Sequence, residues 1–550
     1  MIVDSSGRPF ESTQRGGVRA SGPIGQLASS SFPYEASNIS TQEMNDWFPT
    51  IRSPDAEINQ YRDRMVARSR DLARNDGWAS GGITRVLDNT VGASLRLSAN
   101  PDYRALAAMT GNKAFDAVWA EEYRRALEGH WRGFSDDIGR YNDVSRQMTV
   151  GQQMRLAMRH KLIDGDDLVV VYWMPERVGY GGATYCTSYL VVDPDRLSNP
   201  FQMQDTKYMR GGVEIDDHGV PLAYHIRKAH QNDWYNSIES MEWERIERED
   251  EDGWQRVIHD FERDRAGQNR GIGVFTPVLA RFKMLARYYG VELQAATIAA
   301  SLGTYVTSPY DPALIQEKLG AGEDDDDLTQ YQDLRLNWNK ESPATFNGVR
   351  VPALAPGEEI VSVSSAHPHG GFGPFAAEML RTFAAAIGVS AEQITQDWSK
   401  TNYSSARAAL LESWKTLTRR SVEFKTGTAT PMYGAFVSEV IDRGDVPLPS
   451  GAPSYIEART HYARCDWLGV ARGWVDPVKE KQGAVLGMDA ALSTLKRECA
   501  EQGMDYEEVI QQRAVEVRQF KEAGLPPPNW SAGKFNEDTM TEEEGPTPDD

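Results

Sequence analysis

Three aspartates in the first third of the chain could hold a divalent cation. Asp164, Asp166 and Asp167 lie within four positions of one another, and close carboxylates are typical ligands of Mg²⁺ and Ca²⁺. They stand just before an apolar run, Leu168 to Trp173, that predicts a buried strand. A cation-dependent nuclease is the enzyme class that such carboxylates would support. The alternative is a solvated turn at the surface where the strand begins, and the sequence favours this turn.

Three other patterns are weaker candidates for chemistry. His367 and His369 could be metal ligands, but a Pro/Gly loop ahead of a helix explains them. Gly271 and Gly273 lack the third glycine of a dinucleotide-binding turn, and they indicate a tight turn into the next helix. An acidic run, which lacks the alternating spacing of a calcium loop, consists of Glu323, Asp324, Asp325, Asp326 and Asp327. The sequence contains no phosphate-binding loop, nucleophile elbow or zinc-protease motif, so we expect no catalytic residue, metal or cofactor.

The composition predicts a globular chain with several domains. It has 550 residues, of which 40% are hydrophobic, enough for a buried core and too many for one ordinary domain. The net charge is −21, the opposite of the basic footprint of a protein that grips DNA, but compatible with a surface past which DNA moves. The three scattered cysteines indicate reduced thiols. Neither a secretory signal nor a run of roughly 18 apolar residues, as a membrane helix requires, is present.

The first half of the chain alternates between helical and strand patterns. Residues 1–45 show no period and predict a flexible arm. Helical spacing predicts helices over Asn59–Asn75 and Ala105–His130. After the strand at Leu168, the segment Val213–Ile226 reads as a hairpin with a turn at Asp216–Gly219. A mixed α/β domain therefore covers roughly 46–275.

Two long helices bracket a polar insert in the second half. Pro277 suits the first turn of a helix that continues past Gly290. A second helix covers Pro374–Ile387 and ends at Gly388, and after a short polar stretch a third begins near Ser404. The region from about 465 to 525 is helical again. The last 15 residues hold seven acids and no base, which predicts a disordered tail.

Six segments between about residues 60 and 525 form an ordered set. They are Ser69–Gly92, the Trp131 and Phe134 region with the strand after it, Val257–Phe282, Leu354–Ile360, Phe375–Trp414 and Asp476–Ala484. In this combination and order they resemble the lambda-like family of phage portal proteins over most of the chain. No single segment is decisive, and the order of all six makes the match specific.

The resemblance implies an α+β, multi-domain portal fold with a mixed α/β wing, long stem helices, a small α/β clip insert and a helical crown. With the flexible arm and the acidic tail, the expected parts are the arm (1–45), wing (46–275), first stem helix (276–303), clip (304–365), second stem helix (366–388), tunnel loop (389–403), long wing helix (404–450), crown (451–525) and tail (526–550).

The resemblance also implies a homo-oligomeric ring, generally of twelve subunits, at one capsid vertex, through which double-stranded DNA is packaged and ejected. The expected tunnel-loop residues at the DNA are Gln396, Asp397, Trp398, Ser399 and Lys400. The clip, with the acidic run Glu323 to Asp327, would dock the terminase packaging motor and later the head-completion or adaptor proteins. The residues expected to pack the stem are Phe282, Leu285, Tyr289, Leu293, Phe375, Met379 and Phe383.

The expected location is the virion, with host cytoplasm during assembly. Major capsid and scaffold proteins are further expected partners, and no membrane is involved. Two alternatives stay open from the residues alone. One is the cation-dependent nuclease that would use the three aspartates, and the other is a head–tail adaptor without close DNA contact.

Overall fold

The structure is a computed structural model that describes residues 46–179, 182–301, 305–307, 337, 344–346, 349–351, 359–361, 371–399, 401–470 and 477–526. The chain divides into two units, Met1–Ser53 and Pro54–Asp550. The described part of the first unit, residues 46–53, contains no helix or strand. All elements below belong to the second unit.

Helices and strands alternate along the second unit. The described α-helices are α1 (Pro54–Asn75), α2 (Gly77–Thr90), α3 (Tyr103–Thr110), α4 (Ala117–Ser135), α5 (Val150–Asp164), α6 (Leu279–Ser301), α7 (Phe372–Ile387), α8 (Ala391–Thr395), α9 (Tyr403–Phe424), α10 (Thr430–Asp442), α11 (Tyr455–Tyr462), α12 (Pro477–Asp489), α13 (Leu495–Glu501) and α14 (Tyr506–Glu522). The described strands are β1 (Arg96–Ala99), β2 (Asp166–Trp173), β3 (Thr187–Val191), β4 (Met209–Arg210), β5 (Val213–Ile215), β6 (Pro221–Arg227), β7 (Trp243–Glu247), β8 (Val257–Phe261), β9 (Tyr305–Thr307), β10 (Ala344–Phe346), β11 (Val349–Val351), β12 (Glu359–Val361) and β13 (Cys465–Leu468).

Aromatic side chains of α4 and α10 form the centre of the main hydrophobic core. On α4 the buried residues recur at helical spacing and include Tyr123, Leu127, Trp131 and Phe134. The Phe134 ring stacks on Phe436 of α10 at a centroid distance of 4.6 Å, and the Trp131 ring meets Phe436 edge-on at 5.3 Å. An apolar pattern that is visible in the sequence therefore positions the helices around this core.

The single helix expected over Ala105–His130 is wrong, because the chain forms two helices there. Gly111 ends α3 in the left-handed conformation (φ 68°), which glycine adopts without the strain of a side chain. Asp116 then caps α4 by accepting a hydrogen bond from the Trp119 backbone N–H at 2.8 Å. The single helix predicted from the apolar spacing would have Met109 and Val118 on its inner side, but both are exposed. The break contains no proline, so the apolar spacing alone did not reveal it.

Two antiparallel sheets follow α5, and both were expected. The strand at Leu168 is β2, which lies between β3 and β8. The hairpin is formed by β5 and β6 within a four-stranded sheet of order β4-β5-β6-β7. The acidic stretch Glu239–Asp252, for which the sequence leaves a loop or an edge strand open, contains the edge strand β7. Between α6 and α7, the described strands pair as β9 with β12 and β10 with β11. The mixed α+β class is confirmed.

The long helix after the polar stretch contains a π-helical segment. Five π-helical residues, Lys425–Ala429, join α9 to α10. Thr428 Oγ1 donates to Asp167 of β2 at 2.8 Å, and Gly427 lies so close to the Asp260 carboxylate that a Cβ there would overlap it. The helical stretch ends at Asp442, so it is shorter than the expected segment 404–450.

Gly271 and Gly273 lie against the backbone between α5 and β2. Neither has a positive φ, so close packing, rather than a special turn conformation, requires them. A Cβ on Gly271 would overlap the Gly165 carbonyl oxygen, and one on Gly273 would overlap the Ile163 carbonyl oxygen. The turn expected here is present, since the Thr276 backbone N–H donates to the Gly273 carbonyl at 3.0 Å directly before the helix. The two glycines also allow this segment to pack closely on another part of the chain.

Gly271→Ala is expected to lower the free energy of unfolding by about 1–3 kcal/mol, the usual cost of overpacking a close contact. Gly290 of α6 is the matched control, because a Cβ there would meet open space. Gly290→Ala should raise stability by up to about 1 kcal/mol, since alanine is the better helix former. Urea denaturation of both variants measures the difference, and equal effects would contradict the packing argument.

Candidate functional site

Helices α6 and α7 run antiparallel, side by side. Near one end of the pair the Phe282 and Phe383 rings contact at a centroid distance of 4.0 Å. Near the other, Tyr288 meets Phe372 at 5.3 Å and Phe375 at 5.2 Å, so residue numbers rise along one helix as they fall along the other. The side chains that fill the middle are Leu285, Ala376 and Leu380, with Trp78 of α2 against them. The pair is one packed unit anchored on α2.

The seven residues expected to pack this pair fall into two groups. Phe282, Leu285 and Phe383 are buried within the chain, and Tyr289 and Met379 are half-buried against the same cluster. Leu293 is 70% exposed and Phe375 is 44% exposed. The sequence pattern thus identified the helices and the inner seam, but it could not tell that Leu293 and Phe375 stay largely or partly exposed, although the Phe375 ring contacts Tyr288.

The outward side of α6 is both apolar and basic, which the sequence analysis missed. Met284 is 67% exposed and Val291 is 54% exposed. Lys283 and Arg287 are exposed beside them, one helical turn apart. The spacing of Lys283, Arg287 and Val291 at intervals of four could have indicated this second face.

The polar stretch between α7 and α9, which was expected to be a loop, contains the short helix α8. Gly388 ends α7 in the left-handed conformation (φ 82°), as the sequence predicted. Ser390 and Gln393 form a reciprocal capping box at the start of α8. Ile394 is buried in the main core. This helix fixes the stretch to the body of the subunit and leaves a shorter exposed turn after Thr395.

The exposed turn holds most of the residues expected to face DNA. Gln396 takes a left-handed conformation (φ 57°), and Asp397 Oδ1 accepts hydrogen bonds from Ser399 N–H at 3.0 Å and Ser399 Oγ at 2.6 Å. Trp398 is half-buried. Asn402 caps α9 by accepting from the Ser405 backbone N–H at 2.8 Å. The turn is therefore an ordered hydrogen-bonded structure.

Several expected site residues lie outside the described residues. They are Lys400, His367, His369 and the acidic run Glu323, Asp324, Asp325, Asp326 and Asp327. Their roles therefore remain predictions.

The three aspartates at β2 are buried and have separate partners. Asp166 Oδ2 accepts hydrogen bonds from Arg62 Nη2 at 3.0 Å and Arg270 Nε at 2.6 Å. Asp164 Oδ1 accepts from Arg70 Nε at 2.8 Å. The surface-turn interpretation is wrong because all three side chains are buried. A shared cation would have to displace guanidinium groups from two of the carboxylates.

Asp166 and Asp167 have opposite electrostatic environments. Burial would raise the pKa of Asp166, but the charges of Arg270 and Arg62 outweigh it and hold that pKa well below its ordinary value. Burial, followed by the nearby Asp260 carboxylate, raises the pKa of Asp167 well above its ordinary value. Asp167 instead accepts from the Asp260 backbone N–H at 3.2 Å. Adjacent residues of one strand, which point to opposite faces, therefore favour opposite charge states.

Among the residues that the structure describes, two small groups of side chains have metal-ligand chemistry. They are His160, Asp164 and Asp193, and Asp193, Asp195 and His230. Arg70 contacts all three of these aspartates. For Asp195, burial raises the pKa, but the His230 hydrogen bond and the Arg70 charge lower it to about 2. Because an arginine occupies the carboxylates, these groups form an ion-pair network that ties α1 to the sheet.

The sequence analysis missed the buried arginines. On α1 the buried positions Arg62, Val66, Ser69 and Ala73 recur at intervals of four and three, which places Arg62 on the inner face. That spacing was available in the sequence. No comparable local signal exists for Arg270, because it lies in an irregular segment and its partner Asp166 is 104 positions away.

Residues 40–420 match the family model described as phage portal protein, lambda family. The chain belongs to the lambda family of phage portal proteins. Among its portal relatives, portal protein B of Escherichia phage lambda is 32% identical over 497 residues, which cover 90% of each chain. The portal protein of Escherichia phage N15 is also 32% identical over 497 residues, which cover 90% of this chain and 91% of that protein.

A solved structure also resembles this portal-family chain. It is the neck of an empty GTA particle, with 14% sequence identity and a TM-score of 0.41, and the match covers 84% of this chain and 94% of that one. Every described helix of this portal-family chain is too short or too polar to span a lipid bilayer.

Proposed function

We propose that this chain is the subunit of a portal ring at one vertex of a phage or phage-derived capsid, with double-stranded DNA passing through the central channel during packaging and ejection. Membership of the portal family supports this proposal. The structural observation that supports it best is the α6–α7 pair, whose inner seam is packed while Met284 and Val291, two turns apart on one face of α6, stay exposed. Leu293 is exposed as well, on another side of the helix. Apolar residues clustered on an exposed face typically mark a protein–protein contact, and a repeated heterologous contact closes a ring.

The elements fit the expected parts of such a subunit. In this proposal α6 and α7 are the stem, and the segment between them, with its two small strand pairs, is the clip that docks the terminase motor and the head-completion proteins. The turn Gln396–Ser399 follows the second stem helix and faces the channel. The α/β part is the wing, and α12, α13 and α14 belong to the crown.

The charge of the chain suits a channel that guides DNA without holding it. The net charge is −21, and each Lys or Arg contact to a phosphate adds affinity that would slow movement. A mostly acidic ring keeps the duplex mobile, with a small number of basic residues near it. Lys400 is the basic residue that we assign to the DNA.

We further propose that the subunit is structural rather than enzymatic. Its relatives are portal proteins, and two of the three aspartates that a nuclease would use, Asp166 and Asp164, are paired with arginines. Major capsid and scaffold proteins are the proposed partners at the vertex. The ring would form in the host cytoplasm and remain in the virion.

Electron microscopy of the purified full chain in negative stain tests the proposal. The expected result is a closed ring, generally of twelve subunits, with a central hole wide enough for a duplex. A nuclease would instead appear as a small particle that cleaves DNA when Mg²⁺ is added. A head–tail adaptor would bind preassembled rings, rather than form one alone. Particles that stay monomeric at every protein and salt concentration would contradict the proposal.

Lys400→Glu is expected to change DNA packaging or retention while leaving ring assembly intact. Reversing the charge replaces an attraction to phosphate by a repulsion. Lys207→Glu is the control, because Lys207 is an exposed lysine of the sheet region. Packaged DNA per particle and its loss during storage are measured for both variants. Particles of Lys400→Glu that fill and keep their DNA like the parent would contradict the assigned role.

A further inference from the structure

The loop between β6 and β7 displays an apolar cluster to solvent. Trp234 is 92% exposed, Tyr235 98% and Ile238 76%. Phe201, from a neighbouring segment, is also largely exposed and lies on the Trp243 ring at a centroid distance of 5.5 Å. Single exposed apolar residues are ordinary, but a clustered set with two adjacent aromatic side chains typically marks a contact surface.

This loop is an ordered turn. Asp233 accepts hydrogen bonds from the Tyr235 backbone N–H at 3.0 Å and from Asn236 Nδ2 at 3.2 Å. The Ser240 backbone N–H donates to the Asn236 carbonyl at 2.9 Å, and the Ser240 carbonyl accepts from buried Arg227 at 2.9 Å. The backbone that carries the exposed aromatic side chains is thus held in one conformation before any partner arrives, which reduces the entropy lost on binding.

β7, which follows the loop directly, has an unpaired edge. It is the last strand in the order β4-β5-β6-β7, and its described pairing is with β6 alone. The Lys228 backbone N–H donates to the Glu242 carbonyl, and the Arg248 backbone N–H donates to the Leu222 carbonyl. The backbone N–H and C=O groups of the even-numbered residues of β7 therefore point toward β6. The backbone groups of Trp243, Arg245 and Glu247 therefore point to the open edge, where an added strand could bond them.

The charge around the cluster is strongly negative. Residues 228–252 contain nine Asp or Glu and three Lys or Arg. Glu239, Glu242 and Glu244 are exposed together, and Lys228 pairs with one of them, Glu242, at 2.8 Å. A segment that binds here must therefore offset acidic charge, which favours lysine or arginine side chains.

We propose that β7 and the aromatic turn bind an extended segment of a different protein, in which apolar residues alternate with basic ones. Main-chain hydrogen bonds to β7 would hold the segment, its apolar side chains would pack on Trp234, Tyr235 and Ile238, and its basic side chains would meet the glutamates. The chain's own terminal segments do not match, because residues 1–45 hold three arginines and four acids and the last 15 residues are acidic. A second copy of the chain that bound through this same surface would bring two acidic surfaces together, and these would repel each other.

A labelled hexapeptide of alternating lysine and valine tests the surface on the full chain. Fluorescence anisotropy is expected to show binding, and N-methylation of the peptide nitrogens that would pair with β7 should weaken it at least tenfold without changing its charge. The double variant Trp234→Ala/Tyr235→Ala should lose at least tenfold as well. Leu492→Ala, at an equally exposed leucine elsewhere, should bind like the parent. If the N-methylated peptide binds as tightly as the unmodified one, or if the double variant binds the peptide as tightly as the parent chain, the proposal is overturned.

A photo-crosslinking residue in place of Tyr235, in the assembled particle, tests the kind of partner. A crosslink to an extended basic segment of a different protein supports the proposal. A crosslink to another copy of this chain, or a double variant that no longer forms the same oligomer, means that a neighbouring subunit covers the surface and overturns it. Absence of any crosslink at this position would overturn it too.

Discussion

Asp166→Asn is expected to lower the free energy of unfolding by about 3–5 kcal/mol, the usual cost of removing one member of a buried ion pair. The carboxylate is fully buried and accepts from Arg62 at 3.0 Å and Arg270 at 2.6 Å, and the Gly271 backbone N–H donates to its other oxygen. Asparagine keeps the shape of the side chain and removes the charge. Two guanidinium groups would then remain buried without a counter-ion.

Asp167→Asn is the matched comparison, because the next residue of the same strand should respond in the opposite direction. Its carboxylate accepts from Thr428 Oγ1 at 2.8 Å and from the Asp260 backbone N–H at 3.2 Å. In asparagine the amide oxygen can accept from the Asp260 backbone N–H, and the amide NH2 can donate to the Thr428 hydroxyl, which accepts as well as donates. The charge that burial and Asp260 make unfavourable is removed. We expect neutral or increased stability at pH 7.

The pH dependence of stability separates the two aspartates further. The pKa of Asp166 is lower in the folded chain than the value of about 3.9 in an unfolded one. Its contribution to stability is therefore present above that value and is lost as the pH falls toward the folded pKa. The pKa of Asp167 is raised, so its ionisation costs stability as the pH rises from about 3.9 through the folded pKa.

Urea denaturation at pH 7 and pH 4, with hydrogen exchange to locate the change, measures these effects. The gain from Asp167→Asn should shrink at pH 4, because the parent carboxyl is already protonated there. Asp217→Asn, at an exposed ion pair with Lys207, is a control that should leave the midpoint unchanged. Equal changes in the free energy of unfolding for Asp166→Asn and Asp167→Asn would show that the ion pairs of Asp166 to Arg62 and Arg270 do not stabilise the fold as expected.

Elements with a strong apolar period were visible in the sequence, and breaks without proline or a distinctive turn were not. The continuous apolar run that begins at Leu168 and the turn at Asp216–Gly219 predicted β2 and the β5–β6 hairpin, and the structure confirms them. The break between α3 and α4 was missed because the apolar spacing was followed across Thr110, Gly111 and Asn112, three poor helix formers that already indicate a break. The π-helical segment was also missed, since it depends on Thr428 and Gly427 meeting residues of the distant sheet.

The candidate site shows the same division. The inner seam of α6 and α7 follows from helical spacing, so Phe282 and Phe383 could be identified as packing residues. The partners of the three aspartates could not, because an arginine far along the chain reveals nothing about its neighbours until the fold is known. Composition was also misleading here, since close aspartates are usually solvated and these are buried.

Leu293→Asp is expected to prevent ring assembly while leaving the subunit folded. Leu293 is 70% exposed in the single chain, so an aspartate there meets water and costs little before assembly. In the ring proposed above, the same position would be covered by a neighbouring subunit. Burying an unpaired carboxylate in an apolar contact costs several kcal/mol. Each loss of about 1.4 kcal/mol in binding free energy weakens an association tenfold.

The cost recurs at every contact of a cyclic assembly, so the expected outcome is loss of the ring rather than a weaker one. Mass photometry gives the oligomeric state, and the thermal midpoint reports the fold of the subunit. Leu492→Asp, at an exposed leucine in the turn between α12 and α13, should assemble normally. This control separates the effect of the position on α6 from the effect of the added charge. Leu285→Asp, at a buried leucine of α6, should instead destabilise the subunit itself. If Leu293→Asp forms intact rings, the exposed part of α6 around Leu293 is not the contact between subunits, and this exposed leucine would need another partner.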